Sequence, residues 1–147
     1  MVKKHILDNG IILITDPAPM FQTVSIGFWI KTGSIDETEV SNGYAHLLEH
    51  MLFKGTTKRS YIDISRDIDK IGGQINAFTN KESTCFYVNV VAQHFDTGLE
   101  VLFDIFNNSV LSLEELSKEK NVVLEEILVY EDSPEDLVND LFFQNIF

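Results

Sequence analysis

Two of the four histidines in this 147-residue chain lie one helical turn apart, in the segment AHLLEHMLFKG. On a helix, His46 and His50 share one face, with their Cβ atoms about 5–6 Å apart, so both imidazoles can reach one ion. Glu49 projects close to that face. Two neutral imidazoles suit Zn²⁺, and a nearby carboxylate can accept a proton from a water that the metal activates. The HxxEH spacing therefore predicts an inverted zinc motif.

A catalytic zinc needs a third protein ligand and keeps a fourth position for water. The candidate third ligands are His5, Cys85, His94, Glu125 and Glu126. Helical spacing favours Glu126 over Glu125, because the neighbours of Glu126 one and two turns away are largely apolar and that face should point inward. Glu119 lies two turns earlier on the same face. Burying both carboxylates without a partner is costly, so we expect a cation beside them.

The elements that would hold these residues follow from the periodicity of the chain. Alternating apolar residues and turn signals predict strands at 3–15, as a hairpin that turns at Asp8-Asn9-Gly10, and at 23–33, 74–80 and 83–93.

Spacing of three and four residues predicts helices in five places. The first is the HxxEH helix, which Ser41 or Asn42 could cap and Gly55 could end. The second lies at 60–73, with Ser60 as its cap and Asp63 at its third position. The others lie near 95–107, near 113–130 and from 135 onward. Strands, helices, strands and helices in this order predict an α+β fold, with the helices packed on one face of a mainly antiparallel sheet.

The charge balance limits the choice of partners. Eleven basic and 23 acidic residues give a net charge of −12, which argues against nucleic acid or an anionic membrane as the main partner. The small basic cluster Lys54, Lys58 and Arg59 is expected to be a solvated loop. No apolar run is long enough for a signal peptide or a membrane span, so a cytoplasmic protein is expected.

Three ordered blocks of the sequence resemble one family. The blocks HLLEHMLFKGT, IGGQINAFTNKESTCFYVNV and EKNVVLEEI resemble the inverted-zincin peptidases of the pitrilysin and insulin-degrading class, above all the bacterial and mitochondrial processing peptidases. The likeness covers nearly the whole chain. It implies a zinc-dependent endopeptidase domain that hydrolyses peptides or unfolded polypeptides.

The resemblance also implies roles for particular residues. His46, His50 and Glu126 match the zinc ligands of the family, and Glu49 matches the general base that activates the zinc water. Glu119 matches a second acidic residue that supports the site by orienting a histidine.

The substrate residues implied by the resemblance lie elsewhere in the chain. Asn76 and Ala77, in the block NAFT, match an edge strand onto which a peptide is laid as an added strand. Phe53 occupies a position expected to line a pocket beside the scissile bond, and packing in the core is its other possible role.

Family members are several times longer than this chain. Residues 1–147 are therefore expected to form a single zinc-bearing N-terminal peptidase domain, truncated at its C-terminus and completed by C-terminal domains or a second subunit. A non-catalytic partner or scaffold domain of the same family stays open. So does a lyase of the S-ribosylhomocysteine type, which also carries HxxEH but needs two cysteines. This chain has only Cys85, in an alternating strand, where a small buried hydrophobe is expected.

Overall fold

The computed structural model describes residues 1–135, 137–138 and 141–142. Its strands are β1 (Lys3–Ile6), β2 (Ile12–Thr15), β3 (Thr23–Ile30), β4 (Gln74–Thr79) and β5 (Thr84–Val91). Its helices are α1 (Tyr44–Leu52), α2 (Tyr61–Lys70), α3 (Phe95–Asn108) and α4 (Leu113–Glu131). The predicted α+β class and the predicted order of elements are confirmed. The helix expected from 135 onward falls mostly on residues outside the described part of the chain.

The main sheet has three antiparallel strands in the order β3-β5-β4. The central strand β5 carries the alternation that the sequence predicted, and its Phe86, Val88 and Val90 are all buried. Phe86 lies opposite Phe28 on β3 and Ala77 on β4. These three side chains face the helices and join the hydrophobic core, and the buried Thr84 begins the same face of the strand.

The helices cover one face of this sheet and complete the core. The buried core residues are Leu52 from α1, Ile64 and Ile68 from α2, Phe86, Val88 and Val90 from β5, and Val101, Leu102 and Ile105 from α3. Each such side chain contributes about 1.5–3 kcal/mol of burial free energy, so this cluster holds α1 firmly against the sheet. Within the described residues, no helix has both the length and the apolar composition that crossing a membrane requires.

The predicted hairpin forms, but as a separate two-stranded sheet. Strands β1 and β2 pair from Lys3 opposite Thr15 to Ile6 opposite Ile12. Gly10 supplies the positive φ of the turn, at 86°. All eight strand residues are exposed, so the hairpin adds nothing to the core of the main sheet.

The start of α1 differs from the prediction that Ser41 or Asn42 would cap it. The N-cap is Gly43, whose φ of 86° lies in the left-handed region that favours glycine. The side chain of Glu37 takes over the capping role: its two carboxylate oxygens accept hydrogen bonds from the amides of Gly43 and Ala45, both at 2.7 Å. A carboxylate is also favoured at the positive end of a helix.

Helix α2 begins as predicted. Ser60 is its N-cap, and its hydroxyl accepts a hydrogen bond from the amide of Asp63 at 3.2 Å. The Asp63 carboxylate in turn accepts from the amide of Ser60, which completes a capping box. Ile64 and Ile68, which are four residues apart, are buried, whereas Tyr61 is exposed.

The basic loop after α1 is not solvated as the sequence suggested. Only Lys58 fits that expectation, with a side chain 60% exposed. Lys54 instead reaches α4, where its Nζ lies 2.6 Å from Oε1 of Glu119. Arg59 is mostly buried and pairs with two helices.

Arg59 forms the centre of a network that we call the Arg59 cluster, made of Arg59, Asp67, Glu100 and Asp104. Its Nε donates to Asp67 at 3.0 Å, its Nη2 to Glu100 at 2.6 Å and its Nη1 to Asp104 at 2.8 Å. Asp104, which is almost fully buried, also accepts from the hydroxyl of Thr56 at 2.7 Å. The planar guanidinium can bond several carboxylates at once, so this loop is fixed against α2 and α3.

Candidate metal centre

Helix α1 places the two motif histidines on one face. The imidazole rings of His46 and His50 have centroids 4.8 Å apart and are nearly perpendicular. His50 is the more buried of the two, with 20% of its side chain exposed against 38% for His46. The core residues Met51 and Leu52, which follow them, anchor this turn of the helix in the protein interior.

Helix α4 packs against α1 and brings Glu126 to the histidines. Its Oε2 lies 3.5 Å from Nε2 of His46 and 3.6 Å from Nε2 of His50. One potential ligand atom from each residue lies within 4.8 Å of the others, and we call these three residues the three-donor cluster. In the described part of the chain it is the only such group that could hold a metal ion, so His5, Cys85, His94 and Glu125 do not join one.

The arrangement around His50 fits a cation better than it fits a hydrogen bond. Nδ1 of His50 lies 3.1 Å from a carboxylate oxygen of Glu119. An ionised carboxylate accepts hydrogen bonds and cannot donate them, so this contact assigns the ring proton of His50 to Nδ1. The lone pair of Nε2 then faces the Glu126 carboxylate, and two acceptors confront each other. Tetrahedral zinc with ligand bonds of about 2.0–2.1 Å separates its ligand atoms by about 3.3 Å. The distances from Glu126 Oε2 to the two Nε2 atoms, 3.5 and 3.6 Å, are close to this value. The residues therefore fit a zinc ion.

Glu119 supports His50 from within the protein. Only 7% of its side chain is exposed, and each carboxylate oxygen has a donor, Lys54 Nζ on one side and His50 Nδ1 on the other. Burial raises the pKa of Glu119, but the hydrogen bonds from Lys54 and His50 and the positive charge of Lys54 lower it by more. Its pKa therefore lies below the ordinary value, and the group is a carboxylate at neutral pH.

Glu49 lies between the histidines in the sequence and turns its carboxylate toward the sheet. The hydroxyl of Thr79, the last residue of β4, donates to its Oε2 at 2.5 Å. Among the described residues no donor contacts its Oε1, which leaves that oxygen available. Thr79 Oγ1 also lies 3.4 Å from the hydroxyl of the buried Thr84, so the contact is anchored in the sheet.

The candidate substrate residues Asn76 and Ala77 lie on β4, at one edge of the three-stranded sheet. Asn76 Oδ1 accepts a hydrogen bond from the amide of Ala77 at 2.8 Å. Phe53 packs against the core, with its ring centroid 5.8 Å from that of Phe86. Its position beside a scissile bond stays a prediction.

The Glu126 face of α4 is less buried than its apolar spacing suggested. Glu119 and Val123 are buried, but the Glu126 side chain is 49% exposed and Val129 is exposed as well. Residues 124–130 of α4 are all exposed, so the inward face expected there does not form in the described part of the chain.

Two residues of the site were missed by sequence reasoning. Lys54 stands four residues after His50, so helical spacing already placed it near the same face. Thr79 gave no local signal, because its contact with Glu49 joins a strand to a helix 30 positions away.

The fold and the three-donor cluster define a class, the metal sites built on a helix-borne HxxEH motif. Residues 12–147 match the family model described as Insulinase (Peptidase family M16). The chain belongs to this family.

Relatives agree with that assignment. The chain is 49% identical over 141 residues to a Bacillus subtilis protein named an uncharacterized zinc protease, covering 96% of this chain and 34% of that protein. It is 42% identical over 146 residues to a Streptomyces coelicolor protein of the same description, covering 99% of this chain and 32% of that one. The chain thus spans about a third of the length of the curated relatives it matches.

Solved structures share the fold. A protease from Helicobacter pylori superposes with a TM-score of 0.87 at 25% identity, over 93% of this chain and 33% of that one. A peptidase M16 inactive domain from Pseudomonas fluorescens gives a TM-score of 0.84 at 15% identity, over 93% of this chain and 34% of that one, which supports the fold alone.

Proposed function

We propose that this chain is the zinc-bearing N-terminal domain of a metalloendopeptidase, with His46, His50 and Glu126 as its zinc ligands. The observation that carries the proposal is the three-donor cluster, where Glu126 Oε2 lies 3.5 and 3.6 Å from the two Nε2 atoms. The zinc protease names of relatives at 49% and 42% identity support the same metal.

Zinc, when bound, supplies a Lewis acid that lowers the pKa of a bound water to about 7 and polarises a carbonyl. Glu49 is the general base: Oε1 accepts a proton from the attacking water and later passes it to the leaving amine. Thr79 holds Oε2 of Glu49 by the 2.5 Å hydrogen bond, which leaves Oε1 to accept the proton. Glu119 orients His50 through Nδ1.

The substrate is a peptide or unfolded polypeptide that adds to β4 as a further strand. Support comes from the edge position of β4 and from Thr79, which ends this strand beside Glu49. The amide of Ala77, now bonded to Oδ1 of its neighbour Asn76, would donate to a substrate carbonyl instead. Backbone pairing of this kind tolerates many side chains.

We further propose that residues 1–147 are one domain of a longer enzyme, completed by C-terminal domains or by a second subunit. The chain spans about a third of its relatives. Large apolar side chains are exposed on the second half of α4, where Leu128 and Val129 are 60% and 73% exposed. The complete enzyme would cover such surfaces.

The lyase alternative finds no support at this site. Cys85 is only 2% exposed and lies outside the three-donor cluster. Burial raises the pKa of its thiol, which is the opposite of what a cysteine ligand or nucleophile needs.

The test compares Glu49→Gln with the parent in the intact protein. Glu49→Gln should keep zinc and lose hydrolysis of an unfolded fluorogenic peptide by at least about a hundredfold, since a general base contributes about 10²–10⁴-fold. Glu39→Gln, at an exposed position before α1, is the matched control and should leave turnover unchanged. Full activity of Glu49→Gln would overturn the mechanism, and a zinc-loaded parent without hydrolysis would favour a non-catalytic domain of the same family.

A further inference from the structure

Lys54 stands just beyond the C-terminal end of α1, four residues after His50. Its side chain is 31% exposed, and its Nζ lies 2.6 Å from Oε1 of Glu119 on α4. The segments that meet here are 65 residues apart in the chain. Lys54 therefore links the segment after α1 to α4 through Glu119, which contacts His50 of the three-donor cluster.

Glu119 has two donors, one for each oxygen. Lys54 binds Oε1, and Nδ1 of His50 lies 3.1 Å from Oε2. Because only 7% of the Glu119 side chain is exposed, water cannot easily replace either partner. Removing one partner of a buried charge pair leaves an uncompensated charge, which drives the carboxylate to turn toward solvent or toward another donor.

We propose that Lys54 is a positioning residue for the metal site: it holds the Glu119 carboxylate where that group fixes His50 with Nδ1 protonated and Nε2 directed at the ion. The inference rests on the proposed zinc site. Lys54 becomes the third residue of a hydrogen-bonded chain that runs from His50 through Glu119. From the sequence alone, this lysine was expected to be solvated.

Charge repulsion and positioning predict opposite changes in zinc affinity when Lys54 is replaced. A lysine near a divalent cation repels it, so removing the positive charge should strengthen zinc binding if Lys54 acts only through space. If Lys54 acts by holding Glu119, removing it should weaken zinc binding, because outer partners of metal ligands are worth about 10–100-fold in affinity. The sign of the change decides between the two.

The experiment measures zinc dissociation constants of the intact protein by competition with a chromophoric chelator. Lys54→Met should bind zinc about tenfold more weakly than the parent, at the lower end of the range for outer partners, because it acts through Glu119. Lys54→Arg keeps the cation and should recover most of the loss. Lys118→Met removes an equal charge from an exposed position on α4 and is the matched control, with unchanged affinity expected.

A double-mutant cycle tests whether Lys54 acts through Glu119. In a Glu119→Gln background, Lys54→Met should cause no further loss, and zinc binding should stay equal or become slightly tighter. A further loss of about tenfold in that background would overturn the inference. Circular dichroism of the metal-free proteins checks folding, and Lys54→Gln is the second variant if Lys54→Met does not fold.

A second readout needs no metal. In the metal-free parent, nitrogen NMR should show neutral His50 protonated at Nδ1, and Lys54→Met should shift the ring toward a mixture of tautomers. Unchanged or tighter zinc binding in Lys54→Met, beside a parent that binds zinc, would overturn the Lys54 inference alone. Absence of zinc binding in the parent would overturn the proposed function and this inference together.

Discussion

In the Arg59 cluster every buried carboxylate faces a donor, whereas in the three-donor cluster acceptors face one another. Asp104 receives hydrogen bonds from Arg59, Thr56 and Asn108 at 2.6–2.8 Å. Glu126, in contrast, lies 3.5 and 3.6 Å from two imidazole nitrogens, one of which has no proton to donate.

The contrast distinguishes a structural cluster from a functional one. Both clusters join helices that are distant in the sequence, and both use acidic residues. The Arg59 cluster is complete with protein groups alone, because each of its carboxylates accepts a hydrogen bond from Arg59. Burial lowers the pKa of Arg59, and these bonds to Glu100, Asp104 and Asp67 raise it by more. Under the proposed function, a cation completes the three-donor cluster. A cluster whose acceptors lack a protein donor or cation is therefore the better candidate for a cation site.

The largest expected effect is on metal binding. His50→Ala removes a proposed ligand and the partner of Glu119, so zinc affinity should fall by more than about a hundredfold, beyond the 10–100-fold cost of losing an outer partner. The chelator competition assay measures it. His94→Ala is the control, since this half-buried histidine contacts Gln93 rather than the cluster. Zinc affinity that is equal in the two variants would contradict the assignment of His50.

Breaking the Arg59 cluster should lower the stability of the protein and leave its zinc affinity unchanged. Arg59→Met leaves the buried Asp104 with Lys58, at 3.8 Å, as its one cationic neighbour among the described residues. The change should lower the free energy of unfolding by about 3 kcal/mol, the lower end for a broken buried pair. Urea titration in the presence of chelator measures this, with the exposed Arg66→Met as control. Zinc affinity of the folded variant should be unchanged, and a matching loss of affinity would remove the distinction between the clusters.

The acid dependence of stability sharpens the same comparison. Burial raises the pKa of Asp104, but its bonds to Asn108, Thr56 and Arg59 lower it by more, so the folded pKa lies below the ordinary value of 3.8. A depressed pKa adds stability that is fully present above 3.8 and is lost as the pH falls through the folded pKa. The parent should therefore lose its stability advantage over Asp104→Asn as the pH is lowered below about 4. A constant advantage across that range would show that the charge of Asp104 contributes nothing.

The smallest expected effect is local. Ser60→Ala removes the N-cap of α2 and should lower the free energy of unfolding by about 1 kcal/mol. It stands next to Arg59 in the sequence but belongs to neither cluster, so zinc affinity should not change. Urea titration and the chelator assay check the two halves of this expectation, and a loss comparable to that of Arg59→Met would show that the loop acts as one unit.

Much of the fold and of the candidate site could be predicted because the signals were local. Strand β5 alternates, the Ser60 box starts α2, and the spacing of His46 and His50 already fixes them on one helix face. Glu126 was reached by counting turns along a single helix. The structure brings it to the histidines, although its face proved more exposed than the apolar spacing suggested.

The remaining features depend on contacts between distant segments. Glu37 rather than Ser41 or Asn42 caps α1, because the loop folds back and a left-handed glycine starts the helix. Lys54 and Arg59 were expected to be solvated, but in the fold they pair with Glu119 on α4 and Asp104 on α3. No periodicity along the chain reports which carboxylate a long basic side chain will reach.

The most direct test of the central claim is the zinc content of the intact protein, by elemental analysis after purification without chelator or nickel affinity. The three-donor cluster predicts about one zinc per chain, lost in His46→Ala and weakened in Glu126→Gln, because a zinc site of this kind needs all three protein ligands. A parent without zinc, or a His46→Ala variant that keeps it in full, would contradict the claim that these residues form the metal centre.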